Sequence, residues 1–219
     1  YCMVSFVVMG LSVLVINLFL PKMRQRRWVA GFGSRAFLRA VGIGFSVDGL
    51  EHLPKTPCVV VANHASYIDA LAIVAALPPD FAFVIKKEMV KVPLAGLLLR
   101  RLGSQFVERF NRHKGASDAR RVLKLAATGQ SLMFFPEGTF DENRRIGKFL
   151  GGAFTTALRS RMPVVPVAIH GSRNVMPPGG MQVYRLPIRV QILAAMSAEE
   201  ARAHSRELIA RAVGEPLAP

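Results

Sequence analysis

The sequence predicts an α/β fold with a layered, largely parallel central sheet flanked by helices, preceded by an N-terminal hydrophobic membrane-anchoring helical segment. Three observations predict it. Short apolar runs such as Val59-Val60-Val61 and Val164-Val165-Pro166-Val167 read as strands buried on both faces. Segments of helical period alternate with these runs, which is the pattern of a parallel sheet built with right-handed crossovers. The first twenty residues form an apolar run without a charge.

That opening run includes Val4, Phe6, Val7, Val8, Leu11, Val13, Leu14, Ile16, Leu18 and Phe19. About 20 apolar helical residues match the hydrocarbon thickness of a bilayer. Lys22, Arg24, Arg26 and Arg27 follow at once. Positive flanks stay cytoplasmic, so the rest of the chain is expected on the cytoplasmic side, at the inner membrane in a bacterial cell. A signal peptide is disfavoured because the cationic cluster comes after the apolar run. A buried core helix is the competing reading, and both crossing the bilayer and dipping into one leaflet are compatible with the pattern. Between Trp28 and Ile43, Phe32, Phe37, Leu38 and Val41 interleave with Arg35 and Arg39, an amphipathic pattern that Gly31 and Gly33 weaken. It suits a membrane interface or packing on the domain. The expected division is therefore a membrane-associating helical segment over residues 1–44 and an α/β domain over 45–219.

Lys and Arg total 29 against 14 Asp and Glu, a formal charge of +15. Such an excess favours anionic partners. With a mean hydropathy of +0.31, membrane lipids fit better than nucleic acid, because interleaved aromatic and basic residues are sparse. Cys2 and Cys58 form no disulfide framework and no metal-ligand spacing, so no metal site is expected.

Within the domain, residues 45–50 read as a strand, and Pro54 and Pro57 punctuate the turn before a strand over 58–62. The next helix, over 66–77, is stopped by Pro78-Pro79. A strand over 81–85 leads to a helix begun by Pro93 and ended at Gly103. A brief strand at 106–107, a helix over 116–127 stopped by Gly129, and a strand over 132–135 cut off by Pro136 come next. A helix over 153–161, strands over 164–169 and 188–193, and a terminal helix over 198–213 complete the pattern.

Asn63-His64-Ala65-Ser66-Tyr67-Ile68-Asp69 lies where a strand hands over to a helix, the edge at which open α/β sheets place their chemistry. On one continuous helix His64 and Asp69 would point about 140° apart. With His64 in the loop and Asp69 in the first turn they can meet, and a carboxylate-held imidazole is suited to act as general base on a hydroxyl. The same residues match a helix-capping pattern, Ser-x-x-Asp, which would leave Asp69 only a structural task. Phe135-Pro136-Glu137-Gly138-Thr139 is a second candidate at a strand end. Glu137 can orient a substrate hydroxyl and Gly138 permits close backbone approach, or the stretch is a plain turn. Arg109, near Arg112 and Lys114, suits bidentate phosphate binding or a solvated surface. Residues 164–169 can line an acyl channel or be an ordinary buried strand, and His170 can be a site residue or a structural one.

Taken together, these stretches with Gly103-Ser104-Gln105-Phe106-Val107-Glu108-Arg109 resemble the four ordered blocks of the lysophosphatidic-acid acyltransferases, the 1-acyl-glycerol-3-phosphate acyltransferase family with its His-x4-Asp motif. The resemblance covers roughly residues 45–193 and includes the Lys86-Lys87-Glu88 and Pro93-Leu94-Ala95-Gly96 connection. It implies an acyltransferase that moves a fatty acyl group from acyl-CoA or acyl carrier protein to a lysophospholipid hydroxyl, by default lysophosphatidic acid giving phosphatidic acid. By the same resemblance His64 is the base and Asp69 orients it. Arg109 holds the acceptor phosphate, Glu137 and Gly138 with Thr139 shape the acceptor site, and Pro166 contributes to donor binding. Direct transfer needs no metal, cofactor or acyl-enzyme. Backbone N–H groups near the Ser66 helix start are candidates for stabilising the oxyanion, and Ser66 itself reads as a helix cap.

Two positions depart from the family pattern: Phe140 and Leu150 stand where members often carry basic residues. Arg144, Arg145 and Lys148 are available to compensate, and a lyso-aminolipid acceptor stays open. A serine hydrolase lacks its Gly-x-Ser-x-Gly elbow here. A non-catalytic membrane lipid-binding protein is the remaining alternative.

Overall fold

The structure, a computed structural model, describes residues 1–108, 112–140, 142–180 and 182–219. Its strands are β1 (Phe45–Asp48), β2 (Val59–Ala62), β3 (Phe81–Lys86), β4 (Gln105–Val107), β5 (Ser131–Phe134), β6 (Val164–His170) and β7 (Ile188–Ile192). They form one sheet in the order β1-β7-β6-β2-β5-β3-β4. Every pairing is parallel except β6 with β7. The helices are α1 (Cys2–Phe19), α2 (Met23–Ala40), α3 (Ile68–Ala76), α4 (Ala95–Arg101), α5 (Arg112–Ala127), α6 (Gly152–Ser160), α7 (Ser172–Val175) and α8 (Ala198–Val213).

All four residues of β2 are buried, because helices cover both faces of the sheet and leave the strand no polar side. Val60, Val165 and Ile169 pack under α2 and α3 with Leu38, Val41 and Ile73. On the other face Val59, Val61 and Leu132 pack against Val122 of α5, Phe154 of α6 and Ala201 of α8. The chain leaves β2 for β3 across β5, then leaves β5 for β6 back across β2. The loops after these two neighbouring strands therefore diverge to opposite faces, and the crevice between them is where an open sheet takes its ligand.

Gly31 and Gly33 are contact points rather than weak places in α2. A Cβ on Gly31 would lie 3.1 Å from the Val74 carbonyl of α3, and one on Gly33 would lie 2.4 Å from Cγ2 of Val13 in α1. Their absence lets α2 pack closely between both helices. α1 is thus laid along α2, with the Tyr1 hydroxyl donating to the Ala40 carbonyl at 3.0 Å. The Arg101 guanidinium donates to the carbonyls of Asn17 and Leu18 at 2.7 and 2.9 Å, satisfying acceptors that a helix end leaves open. By length and composition α1 is able to cross a membrane, yet it lies fastened to the domain along its length.

Of the basic residues after α1, Arg26 and Arg27 are turned toward the protein, and Lys22 and Arg24 are exposed. Arg26 donates to the Leu20 carbonyl and Arg27 to the Leu102 carbonyl and Gln130, while Arg24 pairs with Asp80 at 3.2 Å. Arg35, further along α2, caps α3 through the Ala75 carbonyl at 2.6 Å.

Two prolines behave differently from the sequence expectation. The helix near Pro93 begins two residues later, because Leu94 takes a φ of +60° and the Ala95 N–H turns back to the Pro93 carbonyl. Pro166 sits inside β6, a central strand, where a missing N–H normally breaks a ladder. Here the pairings of Val164 with Met196 and Val167 with Ile192 enclose one extra residue on the β7 side. Pro166 falls in this bulge-like gap, and its carbonyl still accepts from Leu193.

Ile73 is fully buried where α3 meets the sheet. Ile73→Ala should lower unfolding stability by about 2–5 kcal/mol with an unchanged denaturant slope, measured by chemical unfolding in detergent. A loss within the error of the measurement would mean that α3 is not held by this core.

Candidate active site

Asp69 stands in the first turn of α3 and is fully buried. Its Oδ2 accepts from the Ala65 N–H at 2.6 Å, the Ser66 N–H at 2.8 Å and His64 Nδ1 at 3.0 Å. Three donors on one oxygen offset the cost of burying the charge. The bond from Ser66 is one half of a capping box. Capping and histidine binding are therefore performed by the same carboxylate. Because an ionised carboxylate only accepts, Nδ1 carries the proton and Nε2 the lone pair. Nε2 has no hydrogen-bond partner among the described residues, and the His64 side chain keeps 18% of its surface exposed.

The two N–H groups at the helix start are consequently occupied. Ala65 and Ser66 were the natural candidates for oxyanion donors, and both point to Asp69. Ser66 Oγ donates to the Met176 carbonyl at 2.7 Å and accepts from the Ile68 N–H at 3.3 Å, a positioning arrangement. Asn63 completes the loop by pairing with both backbone groups of Ile169, at 3.1 and 2.7 Å.

Glu137, after β5, reaches across the crevice. Its Oε1 accepts from the His64 N–H at 2.7 Å and its Oε2 from the Gly147 N–H at 2.6 Å. A Cβ on Gly147 would approach Oε2 to 2.9 Å, so the short contact depends on glycine there. Both carboxylate oxygens thus already hold backbone, and Glu137 fixes the histidine loop to the segment around residue 147. Gly138 makes the turn at a φ of +78°, with its N–H on the Phe135 carbonyl, and Thr139 is exposed beyond it.

Aromatic rings complete the surroundings of the histidine. Phe135 stacks on the imidazole with centroids 4.2 Å apart, and Phe140 meets it edge-on at 4.6 Å. Tyr67 in turn contacts Phe140 at 4.9 Å. Sequence reasoning registered Phe140 only as a departure from a basic residue; its closeness to a loop histidine could have suggested a ring contact. Phe135 also borders a largely apolar cleft of about 260 Å³ that includes Val84, Val107, Val122, Phe134 and Leu150.

The remaining candidates are distributed as follows. Pro166 is buried in β6 and does not line this cleft. His170 ends β6 with Nε2 on Gln191 Oε1 at 3.1 Å; burial lowers its pKa, which suits a structural histidine. Arg109 lies outside the described residues. The Glu108 N–H just before it is held by Asp118 at 2.9 Å. Cys58 is buried, and burial pushes its thiol up to about 11.

Burial raises the Glu137 carboxyl above the usual glutamate value of 4.5, partly opposed by the N–H groups of His64 and Gly147. A raised folded-state pKa means that the folded chain binds the proton more readily than the unfolded one. The stability it contributes is full below about 4.5 and is lost as pH rises through the folded value. Relative to Glu137→Gln, the wild-type melting temperature should therefore improve as pH falls from about 7 to about 5. A difference that does not change with pH would refute the raised value.

The family profile described as Acyltransferase matches residues 44–170. A chloroplastic 1-acyl-sn-glycerol-3-phosphate acyltransferase of Brassica napus is 35% identical over 135 residues, which is 61% of this chain and 39% of that protein. One of Cocos nucifera is 26% identical over 203 residues, 90% of this chain and 65% of that protein. This chain thus spans less than two thirds of the length of these curated relatives. The crystal structure of the 1-acyl-sn-glycerophosphate acyltransferase PlsC from Thermotoga maritima superposes with a TM-score of 0.78, covering 98% of this chain and 97% of the other at 21% identity. The same arrangement of sheet and helices therefore occurs in both.

Proposed function

Since the chain belongs to the acyltransferase family, we propose that it transfers a fatty acyl group from a thioester donor to the hydroxyl of lysophosphatidic acid, forming phosphatidic acid. The observation that carries this reading is the His64–Asp69 pair at 3.0 Å, with an accessible, unpartnered Nε2. The names of the relatives, 1-acyl-sn-glycerol-3-phosphate acyltransferases, support the choice of acceptor.

In this mechanism Nε2 of His64 takes the acceptor hydroxyl proton as the oxygen attacks the thioester carbonyl. The tetrahedral intermediate collapses by breaking the C–S bond, and the imidazolium returns the proton to the departing thiolate. Coenzyme A or acyl carrier protein leaves as the thiol. Asp69 stabilises the transient imidazolium. The acyl chain occupies the apolar cleft beside Phe135, and Arg109 meets the acceptor phosphate. Glu137 and Gly138, with Thr139, shape the acceptor side by fixing the loop, while Pro166 acts on the donor only through the strand it belongs to. No step calls for a metal or cofactor.

Phe140 and Leu150 favour testing a second acceptor, a lyso-aminolipid, in the same assay. Labelled acyl-CoA and acyl carrier protein are offered with a panel of lysolipids to wild type, His64→Ala and Asp69→Asn. His64→Ala should abolish product, and Asp69→Asn should reduce kcat by about a hundred- to ten-thousand-fold. Product from His64→Ala at the wild-type rate would end the general-base assignment. Inactivity of folded wild type with every donor and acceptor would favour the lipid-binding alternative.

The reading includes a membrane location, and the cations that follow α1 favour the cytoplasmic face for the catalytic domain. Val4, Val8, Leu11 and Val15 repeat at helical spacing along α1 and are 66%, 58%, 40% and 52% exposed, and Trp28 and Phe32 of α2 stack in the open. With α1 fastened lengthwise to the domain, this stripe meets a bilayer side-on and dips into one leaflet. Replacing Val4, Val8 and Leu11 by Ser should release the chain from vesicles without changing its circular dichroism. Undiminished vesicle binding would show that α1 is not the anchor.

A further inference from the structure

A second apolar surface lies outside the helical hairpin and is built from the connection between β3 and β4. After β3 ends at Lys86, a 3-10 turn over Lys87–Lys91 leads into α4. In this segment Val92, Leu94 and Leu97 are 42%, 55% and 44% exposed.

Their exposure is enforced by the backbone. Leu94, at φ +60° and ψ −49°, is the centre of a tight turn closed by the Ala95 N–H on the Pro93 carbonyl at 2.6 Å. This is the rare and strained hand of the γ-turn, and a branched apolar residue is an unfavourable occupant of positive φ. Directly after it, a Cβ on Gly96 would meet the Val90 carbonyl at 2.4 Å. The turn is therefore folded hard against the preceding 3-10 segment, leaving its apolar side chains no interior to enter. Strain of this kind persists where the surroundings impose it and gathers at functional positions.

Charge and position suggest what covers it. Lys86, Lys91 and Arg100 are exposed around the turn and have no hydrogen-bond or ion-pair partner among the described residues; Glu88 is the single acid in the segment. Arg26 and Arg27 after α1 are turned inward, whereas these cations, like Arg24, face solvent. The segment leaves the carboxyl end of β3, next to β5, at the sheet edge that carries His64 and Glu137. Its far end is joined to α1, through Arg101 on the Asn17 and Leu18 carbonyls.

We propose that residues 87–97 form a second membrane-docking element, which inserts Val92, Leu94 and Leu97 into an anionic lipid surface beside the catalytic edge. The proposal rests on the membrane reading of α1 and α2 and extends it to an independent part of the chain. Apolar side chains ringed by lysine and arginine match the interface of an anionic bilayer, where the stems lie along the acyl boundary and the charges meet phosphate. Two contacts, one on the hairpin and one at the sheet edge, would fix how the domain is rotated against the membrane and hold the active-site mouth toward it.

The chain has one tryptophan, so two single-tryptophan proteins test both contacts. Wild type reports Trp28 on the hairpin, and Trp28→Phe/Leu97→Trp reports α4. Each full chain is bound to vesicles of phosphatidylglycerol mixed with phosphatidylcholine brominated in its acyl chains. Quenching of both is the expected result. Quenching of Trp28 alone overturns the second element and leaves the membrane reading intact, whereas quenching of neither overturns both. Leu94→Asn supplies a variant that tolerates positive φ. It should bind the same vesicles about tenfold more weakly with unchanged melting temperature, and unchanged affinity would also overturn the proposal.

Discussion

One oxygen atom, Oδ2 of Asp69, sets the geometry of the site. It draws in the backbone of two consecutive residues and the ring of a third, and these are the residues that turn the chain from β2 into α3. All three donors converge on Oδ2, whereas the buried Oδ1 has no hydrogen-bond partner among the described residues. The arrangement leaves the loop little freedom. The imidazole orientation, the tautomer and the first turn of the helix follow from the same three hydrogen bonds. Asking whether this aspartate is a cap or part of a dyad therefore poses a false choice, since a short strand-to-helix turn lets one side chain be both.

The site is stabilised from two directions because two strand ends converge on it. Asp69 supports His64 from its own helix, and Glu137 supports the same residue's backbone from β5. This convergence is a consequence of topology: the chain reverses its direction of travel across the sheet between β2 and β5. The hydrophobic sequence of β2 guarantees a central strand, and a central strand at the reversal point delivers its following loop to the crevice.

Much of this was legible in the sequence, and the parts that were not have identifiable causes. Val59-Val60-Val61 and Val164-Val165 announced buried strands, and residues 198–213 announced a helix whose boundaries the structure reproduces. Propensity misjudged Gly31 and Gly33, because a local scale counts the entropy of glycine and cannot see the neighbouring helices whose approach requires it. It misplaced the start of α4, because Pro93 is a good first helical residue but Leu94 adopts a conformation that no sequence rule assigns to leucine. Within the cationic cluster after α1, Arg26 and Arg27 also cap helix ends, which the sequence pattern did not reveal. Partners 75 residues apart, such as Arg27 and Leu102, leave no local pattern. The two halves of the His64–Asp69 arrangement were legible because they are five residues apart; the rings of Phe135 and Phe140 were not, since only folding brings β5 beside β2.

The bond between Glu137 and Gly147 bears on how such a site can diversify. It ties together the two ends of a surface excursion, which is held further along by Arg144 on Asn174 and by the backbone of Ile146 on Pro216 and Ala218. The excursion also carries Phe140, which meets the His64 ring edge-on, so it touches the histidine directly as well as through Glu137. The excursion and the histidine loop therefore form one mechanical unit, and a change at Phe140 or Gly147 is transmitted to His64, which limits how freely the stretch can vary.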